Sequence, residues 1–144
     1  MKAEWTTPDH LMEFVPQERQ ALEFQQYFDC FENYRGISCL DDDGTPFALF
    51  TIIPMPTYDH RELCWTAFAE NPGARRLKFA ARTAWDYWAH HSTANRLEAY
   101  CLSEAVDEIF WCRHVLRMTL EGILRYYTSD GQSLYCFSWV RNGH

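Results

Sequence analysis

The sequence predicts an α+β fold in which a mixed, mostly antiparallel sheet of six to seven strands is flanked by three to four helices. Short apolar or alternating runs, typical of strands, are separated by longer segments whose apolar residues recur at helical spacing. The resulting order is helix, three strands, helix, strand, helix and two strands. No internal repeat or linker interrupts the 144 residues, so we expect a single domain over 1–144.

The first half of the chain predicts one helix and three strands. A helix is indicated where apolar residues recur among glutamate and glutamine residues, at Leu22, Phe24, Phe28 and Phe31. The run Asp-Asp-Asp-Gly at 41–44 suits a hairpin turn, because Asp and Gly accept positive φ. In order, the predicted elements are a strand or helical turn at 11–15, a helix at 17–31, and strands at 37–40, 46–53 and 63–69.

The second half predicts two helices and three strands. Asn71, Pro72 and Gly73 break the chain before a helix in which Trp85 and Trp88 belong to an apolar stripe. In order, the elements are a helix at 74–91, a strand at 96–101, a helix at 103–116, and a closing hairpin of strands at 118–127 and 134–140.

Composition and charge exclude several classes of protein. A hydrophobic content of 47%, with 17% aromatic residues, excludes a disordered chain. The net charge is −7, and residues 1–60 carry three basic and eleven acidic side chains. Because nucleic-acid binding needs cations that displace counterions from phosphates, the acidic half argues against a nucleic-acid partner. No apolar run resembles a signal peptide or could span a bilayer, so we expect no membrane association and a cytoplasmic location.

The cysteines carry no pattern of paired ligands or disulfides. None forms a C-x-x-C pair, and most lie in apolar stretches, which favours buried reduced thiols over a disulfide framework. The six are Cys30, Cys39, Cys64, Cys101, Cys112 and Cys136.

The last third of the chain carries a resemblance to a known family. Residues 94–100 read A-N-R-L-E-A-Y, and residues 120–127 read L-E-G-I-L-R-Y-Y before the turn at Asp130 and Gly131. This order is similar to the C-terminal half of the GNAT acetyltransferase superfamily, especially the branch that acetylates protein N-termini. In that branch a strand reading R-I-E-A, a helix, and a strand reading L-E-G-x-L-R follow at this spacing. The resemblance covers about 37–141 and implies the GNAT fold.

The resemblance also implies where acetyl-CoA would bind. Family members hold its pyrophosphate on a loop of pattern Arg/Gln-x-x-Gly-x-Gly/Ala at a helix N-terminus, where N–H groups and the helix dipole favour an anion. Here Gly73 keeps the first glycine, Glu70 replaces the cation or amide, and Arg75 replaces the last small residue. The residues that would contact the cofactor are Phe68, Ala69, Gly73, Ala74, Arg75 and Arg76.

Cations near this loop have two interpretations. Arg75, Arg76 and Lys78 would lie near the first helical turn and could reach phosphate oxygens. The alternative is that they are solvated charges on an exposed helix face, and we favour this alternative by about two to one. Because a cation at a helix N-terminus opposes the dipole, its presence there calls for a reason.

A second family site is also altered. Family members carry an asparagine after the R-I-E-A strand, a serine near the next helix start and often a tyrosine later. An approximate alignment puts Ala105 at the asparagine, Glu108 near the serine, and Trp-Cys-Arg-His at 111–114 over the tyrosine. The family's following Gly-Phe is replaced by Arg117 and Met118. Changes at both sites favour a GNAT fold with a degenerate acetyl-CoA site, no bound cofactor and no reaction.

The alternative hypothesis is an active acetyl-CoA-dependent N-acetyltransferase acting on a protein N-terminus or a small amine. The resemblance then implies that a general base deprotonates the amine and that main-chain groups of the strand after Trp65 hold the thioester carbonyl. Glu98, Glu104 and Glu121 are the nearby carboxylates, and spacing selects none of them. The catalytic residues therefore stay unassigned.

A shorter resemblance suggests a context for the non-catalytic interpretation. The stretch at 127–133, with the short N-terminal half, is similar to GNAT-like virion proteins of short-tailed bacteriophages. It implies a virion-associated or head-assembly protein that works through protein contacts, in the host cytoplasm and in the virion. Trp and Tyr favour interfaces, which fits a docking role.

Three further constellations are more typical of structure than of chemistry. The acidic turn at 41–44 lacks the spaced ligands of a calcium loop. Asp86 and His90 share a helical face but have no third ligand. Cys112 and His114, two apart on a helix, point in different directions. We therefore expect no metal site.

Overall fold

The computed structural model describes residues 1–55 and 60–141, except for the side chains of Tyr27, Cys30 and Glu32. The strands are β1 (Lys2–Trp5), β2 (Ile37–Leu40), β3 (Pro46–Pro54), β4 (Arg61–Phe68), β5 (Arg96–Leu102), β6 (Thr119–Leu124) and β7 (Leu134–Val140). The helices are α1 (Pro8–Glu13), α2 (Ala21–Asn33), α3 (Gly73–His91) and α4 (Val106–Phe110). A 3-10 turn (Glu18–Gln20) precedes α2, and a π-helical turn (Trp111–Val115) follows α4.

The strands form a mixed sheet in the order β1-β2-β3-β4-β5-β7-β6. Pairing is antiparallel for β1–β2, β2–β3, β5–β7 and β6–β7, and parallel for β4–β5. The predicted α+β class, with its mostly antiparallel sheet, is confirmed.

The chain divides into two compact units. Unit 1 comprises Met1–Ile53 and Cys64–Ser92, and unit 2 comprises Pro54–Leu63 and Thr93–His144. The single domain over 1–144 stays a prediction.

The N-terminal segment differs most from the sequence-based expectation. The strand β1 was not predicted, because its residues are mostly exposed and only pairing with β2 makes them a strand. Of the two alternatives for 11–15, the helical one is correct up to Glu13. Thr7 caps this helix, accepting a hydrogen bond from the His10 N–H at 3.2 Å, and Pro8 occupies the first turn.

The second difference is the short α4. The sequence predicts a helix over 103–116, but the α-helical part ends at Phe110 and continues as the π-helical turn. The N–H of Leu116 donates to the carbonyl of Trp111 at 2.8 Å, a five-residue step that places one more residue in the turn than an α-helix does.

Unit 1 is built around an aromatic cluster. Phe24, Phe28 and Phe31 recur on one face of α2, as the sequence spacing predicts, and pack with Leu49 of β3 and Trp65 of β4. Leu22, predicted as an apolar position of the same helix, is instead 70% exposed. The Trp65 indole N–H donates to the Glu23 carboxylate at 2.8 Å, which fixes α2 on β4 at a polar point beside this cluster.

The long helix α3 packs on β3 through aromatic rings. The ring centroids of Phe50 and Tyr87 lie 5.9 Å apart, and those of Phe47 and Phe79 lie 6.3 Å apart. Trp88 is 1% exposed. The apolar stripe predicted for this helix is therefore its packing face, whereas Trp85 on the same helix is 48% exposed.

Unit 2 is a sheet with one apolar and one charged face. Along β5, Leu97, Ala99 and Cys101 are buried on one face, and Arg96 and Glu98 lie on the other, as the alternation of a strand requires. The Trp139 indole of β7 donates to the Leu116 carbonyl at 2.8 Å, tying the end of the π-helical turn to the sheet.

The described cysteines are free thiols. Cys39, Cys64, Cys101 and Cys112 are buried, Cys136 is partly exposed, and the prediction for Cys30 lies outside the described residues. Burial raises the pKa of Cys39 to about 12, which makes its thiolate scarce at neutral pH.

Within the described residues, no helix combines the length and apolar character needed to cross a bilayer.

The buried face of β5 yields a stability prediction. Leu97 is 0% exposed, so Leu97→Ala removes buried methyl groups and leaves a cavity. We expect the free energy of unfolding, measured by urea titration, to fall by about 2–5 kcal/mol. Leu22→Ala is the matched control, because Leu22 is 70% exposed and its truncation should change stability by less than about 0.5 kcal/mol. Equal effects of the two changes would contradict the assignment of Leu97 to the core.

Candidate functional site

The start of α3 is formed by an unusual loop. Asn71 has a φ of 47° and Gly73 a φ of 77°, both in the left-handed region that asparagine and glycine tolerate best. A Cβ built on Gly73 would meet nothing within 4 Å. Gly73, Ala74 and Arg75 are exposed, so the first main-chain N–H groups of this 19-residue helix face accessible space.

These N–H groups are suited to an anion, but the loop weakens the site. The first N–H groups of a helix have no partner within the helix, and the helix dipole adds positive potential there. Pro72, directly before Gly73, has no N–H and removes one donor. Glu70 is exposed beside the same loop and contributes a negative charge.

Arg76 is held by the acidic turn after β2. Its guanidinium donates to both Asp41 carboxylate oxygens, with Nε at 2.8 Å and a second nitrogen at 3.1 Å. The hydrogen bonds to Asp41 raise the pKa of Arg76. This pairing supplies the reason for a cation near the start of α3: the residue joins the helix to the hairpin turn. The other terminal nitrogen of Arg76 donates to the Pro72 carbonyl at 3.5 Å.

Beyond its pairing with β5, the side of β4 that faces away from β3 is hydrogen-bonded to a side chain. The Ala69 N–H donates to the Phe47 carbonyl of β3, so by alternation the main-chain groups of Thr66 and Phe68 point to the opposite edge. There the Gln20 amide donates to the Thr66 carbonyl at 3.1 Å and accepts from the Phe68 N–H at 2.9 Å.

The turn before α2 extends this contact. The Gln17 main-chain N–H donates to the Phe68 carbonyl at 2.8 Å, and the Gln17 side-chain amide donates to the side-chain oxygen Oε1 of Gln20 at 2.9 Å. Gln20 is 2% exposed. A buried carboxamide thus satisfies main-chain groups at the position where a neighbouring strand would bind.

Unit 2 contains a second polar cluster, centred on Glu98. One Glu98 oxygen accepts from Arg61 at 2.6 Å and from the Tyr100 hydroxyl at 3.0 Å, and the other accepts from Arg96 at 2.8 Å. Arg96 also pairs with the Glu121 carboxylate of β6. The cluster therefore links β4, β5 and β6 on the charged face of unit 2.

Burial and charge act on Glu98 in opposite directions. Burial raises the pKa of Glu98, but hydrogen bonds from Arg61, Arg96 and Tyr100 outweigh burial and hold the pKa below its usual value. The pKa of Arg96 is raised, first by its hydrogen bond to Glu121. Glu98 is thus an ionised carboxylate in the neutral pH range and a weak base, because its neighbours stabilise the charged form.

The residues aligned with the second family site lie at the start of α4 and after it. Ala105 precedes α4, and Glu108 lies in its first turn. The residues 111–114, aligned with the family tyrosine, fall in the π-helical turn. Arg117, which replaces the family glycine, has a φ of 55°, so the backbone keeps the left-handed conformation that glycine favours. The residue that aligns with the family glycine is different here, but the backbone conformation at this position is the one that glycine favours.

The predicted cofactor residues divide into three kinds. The N–H groups of Phe68 and Ala69 are bonded to Gln20 and Phe47. Gly73, Ala74 and Arg75 are exposed at the start of α3, and Arg76 is paired with Asp41. These six residues all belong to unit 1. Their role in binding a cofactor stays a prediction.

The carboxylates considered from sequence are also sorted by the structure. Glu98 and Glu121 belong to the charged cluster, and Glu104 is an exposed residue outside it. Sequence reasoning missed Gln20 and Arg61, whose partners lie 46 and 37 residues away in the chain. Such distant pairs leave no local pattern in the sequence.

The pairs considered for metal binding have local contacts. The His90 ring nitrogen lies 2.8 Å from the Asp86 carbonyl, and Cys112 lies beside Cys101, with 3.7 Å between the sulfur atoms. Among the residues at 1–55 and 60–141, no group of three potential ligands is arranged to hold a metal ion.

The fold is similar to that of known acetyltransferases, although no protein-family model and no curated protein matches the sequence. One neighbour is a proposed phosphinothricin N-acetyltransferase, with a TM-score of 0.74 and 11% identity over 96% of this chain and 97% of that one. Another is the ribosomal-protein-alanine N-acetyltransferase from Brucella melitensis, with a TM-score of 0.68 and 11% identity over 97% and 99%. A third, from Salmonella typhimurium, was solved with its cofactor acetyl-CoA and has a TM-score of 0.68 and 8% identity over 99% and 95%.

These likenesses show that the chain has the GNAT fold over nearly its whole length, beyond the 37–141 that the sequence resemblance covers.

The charged cluster yields a pH prediction. Because the pKa of Glu98 is lowered in the folded state, its pairing stabilises the fold above the pKa of an unfolded glutamate, and this contribution is lost as the pH falls through the folded-state pKa. We expect Glu98→Gln to lower the free energy of unfolding by about 1–3 kcal/mol at pH 7, and by progressively less below about pH 4.

Urea titrations between pH 7 and pH 3 measure this difference. Glu104→Gln is the matched control, since Glu104 is exposed, and it should stay within about 0.5 kcal/mol of the unchanged protein. A deficit in Glu98→Gln that stays constant over the whole pH range would contradict the assigned role.

The left-handed backbone at Arg117 yields a prediction of the opposite sign. Arg117→Gly relieves steric strain, so we expect the free energy of unfolding to rise by about 0.5–1 kcal/mol in a urea titration. The control is Arg113→Gly, at an exposed position in the π-helical turn, which should lower stability by about 1 kcal/mol. A loss of stability in both variants would contradict strain at Arg117.

Proposed function

We propose that this protein is an acetyl-CoA-dependent N-acetyltransferase that acts on a protein N-terminus or a small amine. The observation that carries the proposal is the start of α3: after the loop that follows β4, a left-handed Gly73 opens a long helix whose first residues are exposed. The likeness to acetyltransferases, including one solved with acetyl-CoA, favours this alternative over the non-catalytic interpretation of the sequence.

The residues at the start of α3 fit a diphosphate in part. The N–H groups of Gly73, Ala74 and Arg75 would hold it, and the space beside Gly73 is open to a ligand. Pro72 and Glu70 weaken the site, so we expect micromolar rather than tighter affinity for acetyl-CoA. When bound, acetyl-CoA supplies the acetyl group that is transferred to the amine.

Glu98 is not proposed as the proton acceptor. A carboxylate whose pKa is lowered by two arginines is poorly matched to removing a proton from an ammonium group. We propose that Glu98 instead positions Arg61 and Arg96 on the charged face of unit 2.

A second candidate function is a non-catalytic binding protein, for which the phage virion or head-assembly role remains the specific hypothesis. This candidate is favoured by the side of β4 that faces away from β3, where the Gln20 carboxamide already makes hydrogen bonds with the main-chain groups of Thr66 and Phe68. Tyr126 and Tyr127, 76% and 59% exposed at the tip of the β6–β7 hairpin, would suit a protein partner.

Calorimetric titration with acetyl-CoA, with desulfo-CoA as the control ligand, separates the two candidates. Micromolar binding, about −8 kcal/mol, together with acetyl transfer to a peptide with an N-terminal alanine or to a polyamine, would support the enzyme. No heat at millimolar ligand and no transfer would overturn it and leave the binding protein.

The proposal predicts a specific role for Gly73. Gly73→Ala places a Cβ on a backbone with a φ of 77°, which distorts the loop that presents the N–H groups. We expect affinity for acetyl-CoA, measured by calorimetry, to fall about tenfold. Gly122→Ala is the matched control, because Gly122 is also exposed with open space around it, lies in β6 and has no positive φ. Equal affinities of the two variants would contradict the proposed site.

A further inference from the structure

The side of β4 that faces away from β3 is the best-defined surface at which a ligand could bind, and a side chain of the protein itself already occupies it. Between Thr66 and Phe68, one carbonyl and one N–H point away from β3, and both are bonded to the Gln20 carboxamide. The Gln20 nitrogen donates to Thr66 and the Gln20 oxygen accepts from Phe68, so the side chain reproduces the pairing that the N–H and C=O of one residue, from two successive amides, would make in an extended chain.

The occupying segment is short and local. Gln20 ends a three-residue 3-10 turn, closed by the Gln20 N–H on the Gln17 carbonyl at 2.8 Å. Hydrogen bonds that join this segment to β4 include the two that the Gln20 side chain makes with Thr66 and Phe68, and one from the Gln17 N–H to the Phe68 carbonyl. Because 3-10 turns have poorer hydrogen-bond geometry than α-helices, we expect this turn to rearrange at a lower cost in free energy than a turn of α2.

We propose that Gln20 is a displaceable latch that competes with an amide-containing ligand for Thr66 and Phe68. This proposal rests on the proposed function, since the pantetheine arm of acetyl-CoA carries two secondary amides and is the ligand with which Gln20 would compete. Free protein is the closed state, and binding requires the Gln20 amide to leave the strand edge. The apparent association constant is then the intrinsic one multiplied by the fraction of molecules in which Gln20 has left the strand.

Two substitutions and one matched control test the latch by calorimetry with acetyl-CoA. Gln20→Ala removes the side-chain amide, and Gln20→Met removes its polar atoms while keeping most of its volume. The test can be carried out if either of the two variants folds. Both should bind acetyl-CoA at least about fivefold more tightly than the unchanged protein. Gln25→Ala, at an exposed glutamine of α2, should bind as the unchanged protein does.

A measurement on the unchanged protein covers the case in which both variants fail to fold. The Gln20 side-chain amide protons should exchange slowly in free protein and rapidly at saturating acetyl-CoA, as followed by NMR. Retained protection at saturation, unchanged or weaker affinity in the folded Gln20 variants, or no binding by any form at millimolar ligand would overturn the latch.

The outcomes also separate the latch from the proposed activity. If the Gln20 variants bind more tightly but no form transfers an acetyl group, the latch stands and the activity fails. If the unchanged protein binds and transfers, and the Gln20 variants show the same affinity, the activity stands and the latch fails.

Discussion

The main-chain hydrogen bonds of β4 are the constraint on which the rest of the structure depends. Each strand residue presents an N–H and a carbonyl that must be satisfied when buried, and β4 meets this requirement with different partners along its length. Arg61–Leu63 pair with β5, Ala69 just beyond the strand bonds to β3, and Thr66 and Phe68 bond to Gln20. This last contact joins the turn before α2 to β4, and the Trp65 indole joins α2 to the same strand through Glu23.

Two arginine–carboxylate arrangements organise the polar chemistry of the units. In unit 1, Arg76 is held by Asp41 and joins the start of α3 to a hairpin turn. In unit 2, Glu98 is held between Arg61 and Arg96, which fixes the charged face of the sheet. In both cases the sequence suggests a charged side chain for binding or catalysis, Arg76 or Glu98. The structure shows that this side chain already forms ion pairs within the protein. The N–H groups of the exposed Gly73–Arg75 are the groups that we propose for an anionic ligand.

The altered family positions have physical counterparts in the backbone. Arg117 stands on a left-handed backbone where the family has glycine, and the π-helical turn at Trp111–Val115 covers the stretch that aligns with the family tyrosine. The start of α3 favours an enzyme, whereas the Gln20 side chain on β4 favours a non-catalytic protein or an enzyme whose binding surface is closed. A Gln20 side chain that a ligand can displace would reconcile the two observations.

The sequence by itself determined the fold class, the positions of most elements and the turn at 41–44, because apolar periodicity and turn residues are local signals. Strands β2 and β7 have the predicted bounds, since apolar side chains define both ends. Only the tertiary structure decided that β1 is a strand, that Gln20 binds β4, and that Glu98 lies between two arginines. Each of these depends on at least one contact between residues 32 or more positions apart, and such a contact is set by packing of the sheet and helices and leaves no periodic trace in the chain.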